Sequence, residues 1–238
     1  MSMTESSRES TEARVSVVIP TRDRRRSLVE AIDSVLSQDV DGVEIIVVDD
    51  GAADDTASFV RRTRAAVAVV RIPPGGGRGR ARNAGIRRAR APLVAFLDAD
   101  DIWLPGKLAR QLDQLAAHPE IAVAYTNAYR QEVGRILPRT RFDDFPPRAS
   151  PPHERGEVEP PASRADMARA TFGACVRTSS VVARRAVFDA GDLFDETLAE
   201  GDDRDLWSRL SERHVFGWID TPLVVERACD EPLAAARA

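Results

Sequence analysis

The chain has 238 residues, 43% hydrophobic and 30% charged, an ordinary composition for a globular domain large enough to bury a full core. Its formal net charge of −4 gives no electrostatic case for nucleic acid, and no apolar run approaches the roughly 20 residues of a membrane span, so no transmembrane segment is expected. Two cysteines, Cys175 and Cys229, are too few for a disulfide framework, and no secretory apolar segment follows Met1, so the expected compartment is a reducing cytoplasm.

Residues 1–14 are polar and rich in Ser and Glu, and read as a disordered lead. From Val15 strands and helices alternate. Strand 15–19 precedes an amphipathic helix with Leu28, Ala31, Ile32, Val35 and Leu36 at spacings of three and four. Strand 43–48 is followed by a short helix from about Asp54, whose carboxylate can cap it, to Arg64, and strand 67–72 comes next. A Gly-rich turn at 75–79 leads into helix 80–89, strand 93–97, helix 105–117 and strand 121–125. Repeated βα units of this length predict an α/β fold with a mostly parallel, doubly wound sheet and helices on both faces. Between Leu137 and Ser163 the prolines at 138, 146, 147, 151, 152, 160 and 161 are incompatible with regular elements and predict a mobile loop or lid. Order is expected to resume with helix 164–171, strand 176–183, helix 184–190, helix 202–214 and strands 216–219 and 223–227.

Three strand ends carry polar chemistry. Leu93-Val94-Ala95-Phe96-Leu97 runs directly into Asp98-Ala99-Asp100-Asp101, which gathers carboxylates at the C-terminal edge of a buried parallel strand, where open α/β sheets bind ligands. Their mutual repulsion favours a hard divalent cation such as Mg²⁺ or Mn²⁺, usually held by one or two carboxylates plus substrate phosphates. Val47-Val48-Asp49-Asp50-Gly51 ends a second strand at the same edge. An ionised carboxylate there accepts from the ring N–H of uracil, thymine or guanine, or else caps the following turn. Ile19-Pro20-Thr21-Arg22-Asp23 is a third strand end that offers polar groups to a ligand. Between them, Gly77-Arg78-Gly79-Arg80-Ala81-Arg82-Asn83 places arginines and free N–H groups at a helix N-terminus, which suits a diphosphate. A dinucleotide fingerprint is excluded because Arg82 stands at its third glycine position.

In the order VSVVIPTRDR, VEIIVVDDGAADDT, GRGRARNAGIRRARAPLVAFLDADDIWLPGKL and VVARRAVFDAGDLFDETLAEGDDRDLWSRL, these blocks resemble the family 2 glycosyltransferases of GT-A fold from Val15 to about Arg227. The resemblance implies an inverting enzyme that moves a sugar from a nucleotide-diphosphate sugar, UDP-linked by preference, to an acceptor hydroxyl. It divides one continuous domain into a nucleotide-sugar-binding half, 15–125, and a small acceptor-side half, 126–238. Carried onto this sequence, Pro20, Thr21 and Asp23 line the nucleoside pocket, Asp50 contacts the base and Arg78 lies beside the nucleotide. Asp98, Ala99 and Asp100 form the Asp-x-Asp motif, with Asp100 the direct ligand of Mn²⁺ or Mg²⁺ and Asp98 on the ribose or a bound water. Asp203 is the catalytic base.

The departures are specific. Ala52 and Ala53 stand where the family often has Ser and Thr, Asp202 replaces a Glu, and Cys229 falls where a His near the metal is usual. Trp207 and Arg209 occupy aromatic and arginine positions of the family, with helix packing and a surface charge as their simpler roles. The Gln-x-x-Arg-Trp motif of processive members is absent, which favours single transfer. A homodimer is neither required nor excluded. The competing expectations are a nucleotidyltransferase, whose glycine-rich loop would follow the first strand, and a catalytically degenerate nucleotide-sugar-binding protein of the same fold.

Overall fold

The computed structural model describes residues 12–144, apart from Val133, and residues 176–227. Helix 164–171, most of the proline-rich stretch, and Cys175 and Cys229 lie outside the described residues, as do residues 1–11 of the N-terminal lead.

The N-terminal half alternates as the periodicity predicts: β1 (Val15–Thr21), α1 (Arg25–Leu36), β2 (Val43–Asp49), α2 (Thr56–Thr63), β3 (Val67–Arg71), α3 (Gly77–Arg88) and β4 (Leu93–Phe96). It continues with β5 (Ile102–Trp103), α4 (Lys107–Ala117), β6 (Ile121–Glu132), β7 (Arg135–Thr140) and α5 (Arg141–Asp144). After a 3-10 turn at Thr178–Ser180 come β8 (Val182–Arg184), α6 (Ala186–Asp189), α7 (Asp202–Ser211) and β9 (Val215–Arg227). The strands form one sheet in the order β3-β2-β1-β4-β8-β6-β9-β5, with β7 paired to β6. Strands β3, β2, β1 and β4 are parallel, as are β6 and β9, while β8, β5 and β7 pair antiparallel.

Consecutive residues of the central strands feed opposite apolar layers, which is why they read as unbroken hydrophobic runs. Val17, Ile19, Ile45 and Val47 pack with Leu28, Ile32 and Val35 of α1 and Leu108 and Leu115 of α4. On the other face, Val18, Ile46, Val48 and Phe96 meet Ala81 and Ile86 of α3 and Leu206, Trp207 and Leu210 of α7. The second layer closes on an aromatic cluster, with Phe96, Phe194 and Trp207 edge to face at 5.5–6.0 Å.

Several elements differ from the sequence expectation. Helix α3 starts at Gly77 rather than Arg80, because the Asp50 carboxylate accepts the N–H groups of Gly76 and Gly77 at 3.1 Å each and caps it from a neighbouring strand. The predicted strand 176–183 is broken by the 3-10 turn, where the Ser180 hydroxyl donates to the Arg177 carbonyl and competes with a ladder bond. Helix 184–190 shortens to the single turn of α6. The predicted pair 216–219 and 223–227 is one strand: β9 shifts register between Ile219 and Pro222, and Asn127 of β6 fills the irregularity by donating to the Asp220 carbonyl at 3.1 Å. Leu137–Thr140, expected as the start of the loop, belongs to β7, which tolerates Pro138 because it pairs on one side with β6.

The 3-10 turn is held from below by α4 and β5. Trp103 Nε1–H donates to the Ser179 carbonyl at 2.7 Å, and Gln111 Nε2 donates to the carbonyls of Ser180 and Ala124 at 2.9 Å. Lys107 is fully buried, its Nζ 4.0 Å from the Trp103 ring centroid and 2.7 Å from Gln111 Oε1, and burial pushes its pKa well down.

Helix α3 approaches β1 so closely that a Cβ on Gly85 would meet Val18 Cγ1 at 2.2 Å. Gly85→Ala is therefore expected to cost about 1–3 kcal/mol through overpacking, read as a lower denaturation midpoint in urea. An unchanged midpoint would mean that α3 can shift away from β1 at no cost.

Candidate active site

The carboxyl ends of β1, β2 and β4 and the first turn of α3 surround a cleft of about 450 Å³. Pro20, Thr21, Arg22, Arg24, Asp50, Gly77, Arg78, Asp98, Ala99 and Asp100 all line it. Seven of the residues singled out in the sequence thus share one wall system. Asp23 does not line this cleft; in the left-handed region at φ 51°, it accepts the N–H groups of Ala53 and Asp54 at 2.8 and 3.4 Å and ties the β1–α1 turn to the β2–α2 turn. That contact, with Asp49 accepting the Ala52 N–H at 2.7 Å, fastens through backbone groups a turn that carries no hydroxyl side chain at 52 or 53.

Thr21 is 5% exposed, and its Oγ1 is buried without a hydrogen-bond partner. A buried hydroxyl left unpaired costs free energy, so one on a cleft wall marks where a polar ligand group would be received. Asp50 is 5% exposed and already accepts two N–H groups, yet each carboxylate oxygen keeps a further lone pair.

A second cleft, about 460 Å³, opens beside the first and shares Arg78 and Asp98 with it. Its walls include Arg82, Asp101, Arg177, Thr178, Ser179, Asp202, Asp203 and Glu226. Asp203 sits in the first turn of α7, half-buried, where its Oδ2 accepts the Thr178 hydroxyl at 3.3 Å and its Oδ1 the Arg204 N–H at 2.8 Å. Trp207 and Arg209, further along α7, serve packing and surface pairing: Trp207 is in the aromatic cluster, and Arg209 pairs with Asp205 at 2.6 Å.

Arg82 joins the two clefts from beneath. At 2% exposure it donates from Nη2 to both oxygens of Asp98, at 2.7 and 3.0 Å, and from Nη1 to Asp202 Oδ2 at 2.8 Å. Burial opposes both charges, but the two carboxylates raise the arginine's pKa above its already high value. For Asp98 burial likewise opposes ionisation, and the Arg82 guanidinium overcomes it and holds the carboxyl below the usual Asp range.

Asp101 faces the opposite situation: burial, with Glu226, Asp98 and Asp100 nearby, pushes its pKa well up, against the hydrogen bond it accepts from the Ser179 hydroxyl. Ser179 is a node, since its Oγ accepts the Asp98 N–H at 3.0 Å and donates to Asp101. Asp100 forms an ion pair with Arg24 and its carbonyl accepts from Arg227 Nε. Glu226 receives the Nε–H groups of Arg141 and Arg177.

Among the described residues, no three His, Cys, Asp or Glu are grouped to hold a metal ion. The donor set is nonetheless of the right kind for a cation that arrives with phosphates: Asp100, 20% exposed at its side chain, offers hard oxygen on the cleft wall two residues from Asp98.

Sequence reading passed over Arg24, Arg82 as a bridge, and the turn carrying Thr178 and Ser179. Arg82 was legible as a charge in a helix whose neighbours are small, Ala81, Gly85 and Gly79, a face that has to be buried. Thr178 and Ser179 left no signal, being polar residues in a stretch that scores as strand.

The sequence profile described as Glycosyl transferase family 2 matches residues 16–188. The chain is 31% identical over 199 residues to the succinoglycan biosynthesis protein ExoU of Rhizobium meliloti, covering 82% of this chain and 56% of that protein. It spans 28% to 56% of the length of the curated relatives it matches. Two solved structures share the fold at 20% identity. One is S. aureus TarS in complex with UDP-GlcNAc, with TM-score 0.73, covering 94% of this chain and 61% of that one. The other is the mannosyltransferase PcManGT from Pyrobaculum calidifontis in complex with GDP-Man and Mn²⁺, with TM-score 0.61, covering 93% and 58%.

Replacing Arg82 by Leu should cost about 3–5 kcal/mol at pH 7, because two buried carboxylates lose their partner. The folded-state pKa of Asp98 lies below its ordinary value of 3.8, so the pair stabilises the fold above that pH and is lost as pH falls through the depressed value. Chemical denaturation should therefore show the gap between wild type and Arg82→Leu narrowing below pH 3.8. A gap constant from pH 7 to pH 2 would remove the Asp98 pair as its source.

Proposed function

The chain belongs to glycosyl transferase family 2, and from that premise we propose that it transfers a single sugar from a nucleotide-diphosphate sugar, UDP-linked by preference, to an acceptor hydroxyl with inversion. The observation that carries the reading is the shared wall of the two clefts. Arg78 and Asp98 line both, so a donor bound among Thr21, Asp50 and Asp100 would present its reacting carbon toward the cleft that holds Asp203.

In this reading, Asp50 accepts the ring N–H of the base, and the unpartnered Thr21 hydroxyl is satisfied by the nucleoside. Arg78 stands beside the diphosphate, its guanidinium suited to phosphate oxygens. A Mn²⁺ or Mg²⁺ ion held by Asp100, with Asp98 adjacent, would supply charge neutralisation for the leaving diphosphate. Asp203 takes the proton of the acceptor hydroxyl as its oxygen bonds to the anomeric carbon and the bond to the diphosphate breaks on the opposite face. Thr178 orients that carboxylate through Oδ2. One base and no covalent nucleophile suffice for such a displacement.

Asp202, paired with Arg82, holds the start of α7 in register with the Asp-x-Asp turn and leaves Asp203 as the base. No helix among the described residues is long and apolar enough to cross a membrane.

A thermal-shift screen of UDP-, dTDP- and GDP-sugars, each with and without Mn²⁺, identifies the donor, because a ligand that binds the native state raises the melting temperature. With that donor, Asp203→Asn should retain binding and lower transfer by about 10²–10⁴-fold. Wild-type turnover in that variant would remove Asp203 from the chemistry. Asp100→Asn should weaken Mn²⁺-dependent binding of the nucleoside diphosphate while changing the stability of the free protein by no more than about 1 kcal/mol, the value of a partly exposed ion pair. Equal affinity by calorimetry would reassign the cation.

A further inference from the structure

Arg24 lines the donor cleft and forms an ion pair through Nη1 with Asp100 Oδ2, the carboxylate the proposed reading gives to the divalent cation. Both ends of this pair are anchored through their backbones. The Arg24 carbonyl accepts the Leu28 N–H at 3.0 Å and the Ser27 hydroxyl at 3.3 Å, which pins it to the first turn of α1. On its N-terminal side, Asp23 is fastened to the β2–α2 turn. Across the cleft, the Asp100 carbonyl is held by Arg227, and the next residue, Asp101, accepts the Arg227 N–H at 3.1 Å and the Ser179 hydroxyl. The main chains on both walls are therefore fixed, and only the two side chains are left to rearrange. They are 31% and 20% exposed, enough to be reached from the cleft.

A divalent cation on Asp100 would stand close to the Arg24 guanidinium; the two are like charges, and in a half-buried site their repulsion exceeds the attraction the singly charged guanidinium loses by giving way. The donor brings its own unmatched anion, a diphosphate, to the same wall, and the planar fork of an arginine matches phosphate oxygens better than any other side chain.

We propose that Arg24 and the divalent cation occupy Asp100 in alternation, and that Arg24, displaced from Asp100, clasps the donor diphosphate. Arg24 is then a donor-binding residue in addition to those on β1, β2 and the Asp-x-Asp turn. It also keeps Asp100 neutralised when no donor is bound, so that free metal ions bind poorly and the cation enters with the diphosphate. The inference rests on the reading of Asp100 as the cation's ligand.

The test uses the full chain and two titrations: Mn²⁺ alone, followed by electron paramagnetic resonance, and, at saturating Mn²⁺, whichever of UDP, dTDP and GDP binds the wild type most tightly. Arg24→Gln should bind Mn²⁺ alone about two- to fivefold more tightly, the value of a partly exposed ion pair. The same variant should bind the diphosphate at saturating Mn²⁺ about tenfold more weakly, as expected for a lost hydrogen bond to a charged group. Arg24→Lys, which keeps the charge and loses the fork, should fall between on the second measure. The corresponding nucleoside, lacking phosphates, should bind wild type and Arg24→Gln equally; an equal loss for nucleoside and diphosphate would overturn the clasp. Unchanged Mn²⁺ affinity in Arg24→Gln, with Mn²⁺ binding abolished by Asp100→Asn, would overturn the alternation while leaving Asp100 as the ligand. Mn²⁺ binding that survives Asp100→Asn would instead overturn the assignment of Asp100, and the diphosphate titration would still decide the role of Arg24.

Discussion

At the carboxyl edge of the sheet one buried cation ties the Asp-x-Asp turn to the start of α7. Arg82 lies between Asp98, which follows β4, and Asp202, which opens α7, with Phe194 5.2 Å from its guanidinium carbon. Arg82 and Asp202, 120 residues apart in sequence, are thereby fixed in relative position by a hydrogen bond whose geometry a guanidinium dictates. A buried ion pair of this kind is poor evidence of stability for its own sake, since apolar residues would often serve as well. What it provides is registry: the Asp-x-Asp turn and α7 cannot drift apart without stranding charge in the core. One guanidinium for two carboxylates also leaves the site formally anionic, and the neighbouring arginines 78 and 177 moderate that charge at Asp98.

The second cleft owes its shape to a short polar turn rather than to a regular element. Thr178 reaches Asp203, Ser179 reaches both Asp98 and Asp101, and the turn itself is suspended from Trp103 and Gln111 through its carbonyls. Carboxylates on two different segments, Asp203 of α7 and Asp101 after β4, are thus linked through the hydroxyl groups of one turn. Rigid support of this sort is what keeps a proton acceptor within reach of a reacting hydroxyl. The coupling of Asp101 to Glu226, and of Glu226 to Arg141 and Arg177, extends the same network to the end of β9.

The N-terminal half was legible because its elements obey local rules. β1, β2 and β4 are hydrophobic on both faces, α1 and α4 are amphipathic, and the polar strand ends fall where an open sheet collects them. The C-terminal half was less so, and for identifiable reasons. The Asp220-Thr221-Pro222 break in β9 looks like a turn in sequence, and only the Asn127 side chain, 93 residues earlier, makes it a strand irregularity. The 3-10 turn is a competition between hydroxyl and ladder hydrogen bonds that periodicity does not register. Asp50 was read as a base contact from its position; that it also caps α3 depends on β2 and α3 being neighbours, a tertiary fact. Arg24 was invisible as a cleft residue because nothing local distinguishes it from Arg22, Arg25 or Arg26.

The burial of Lys107 has a consequence beyond packing. It is the only lysine in this sequence and has no exposed surface, so every other positive side chain apart from histidine is a guanidinium. Arginine does not deprotonate at any pH a protein tolerates. The cationic side chains of the folded surface thus keep their charge across the alkaline range, and acylating reagents or acetylating enzymes that seek a lysine amine find none presented to them.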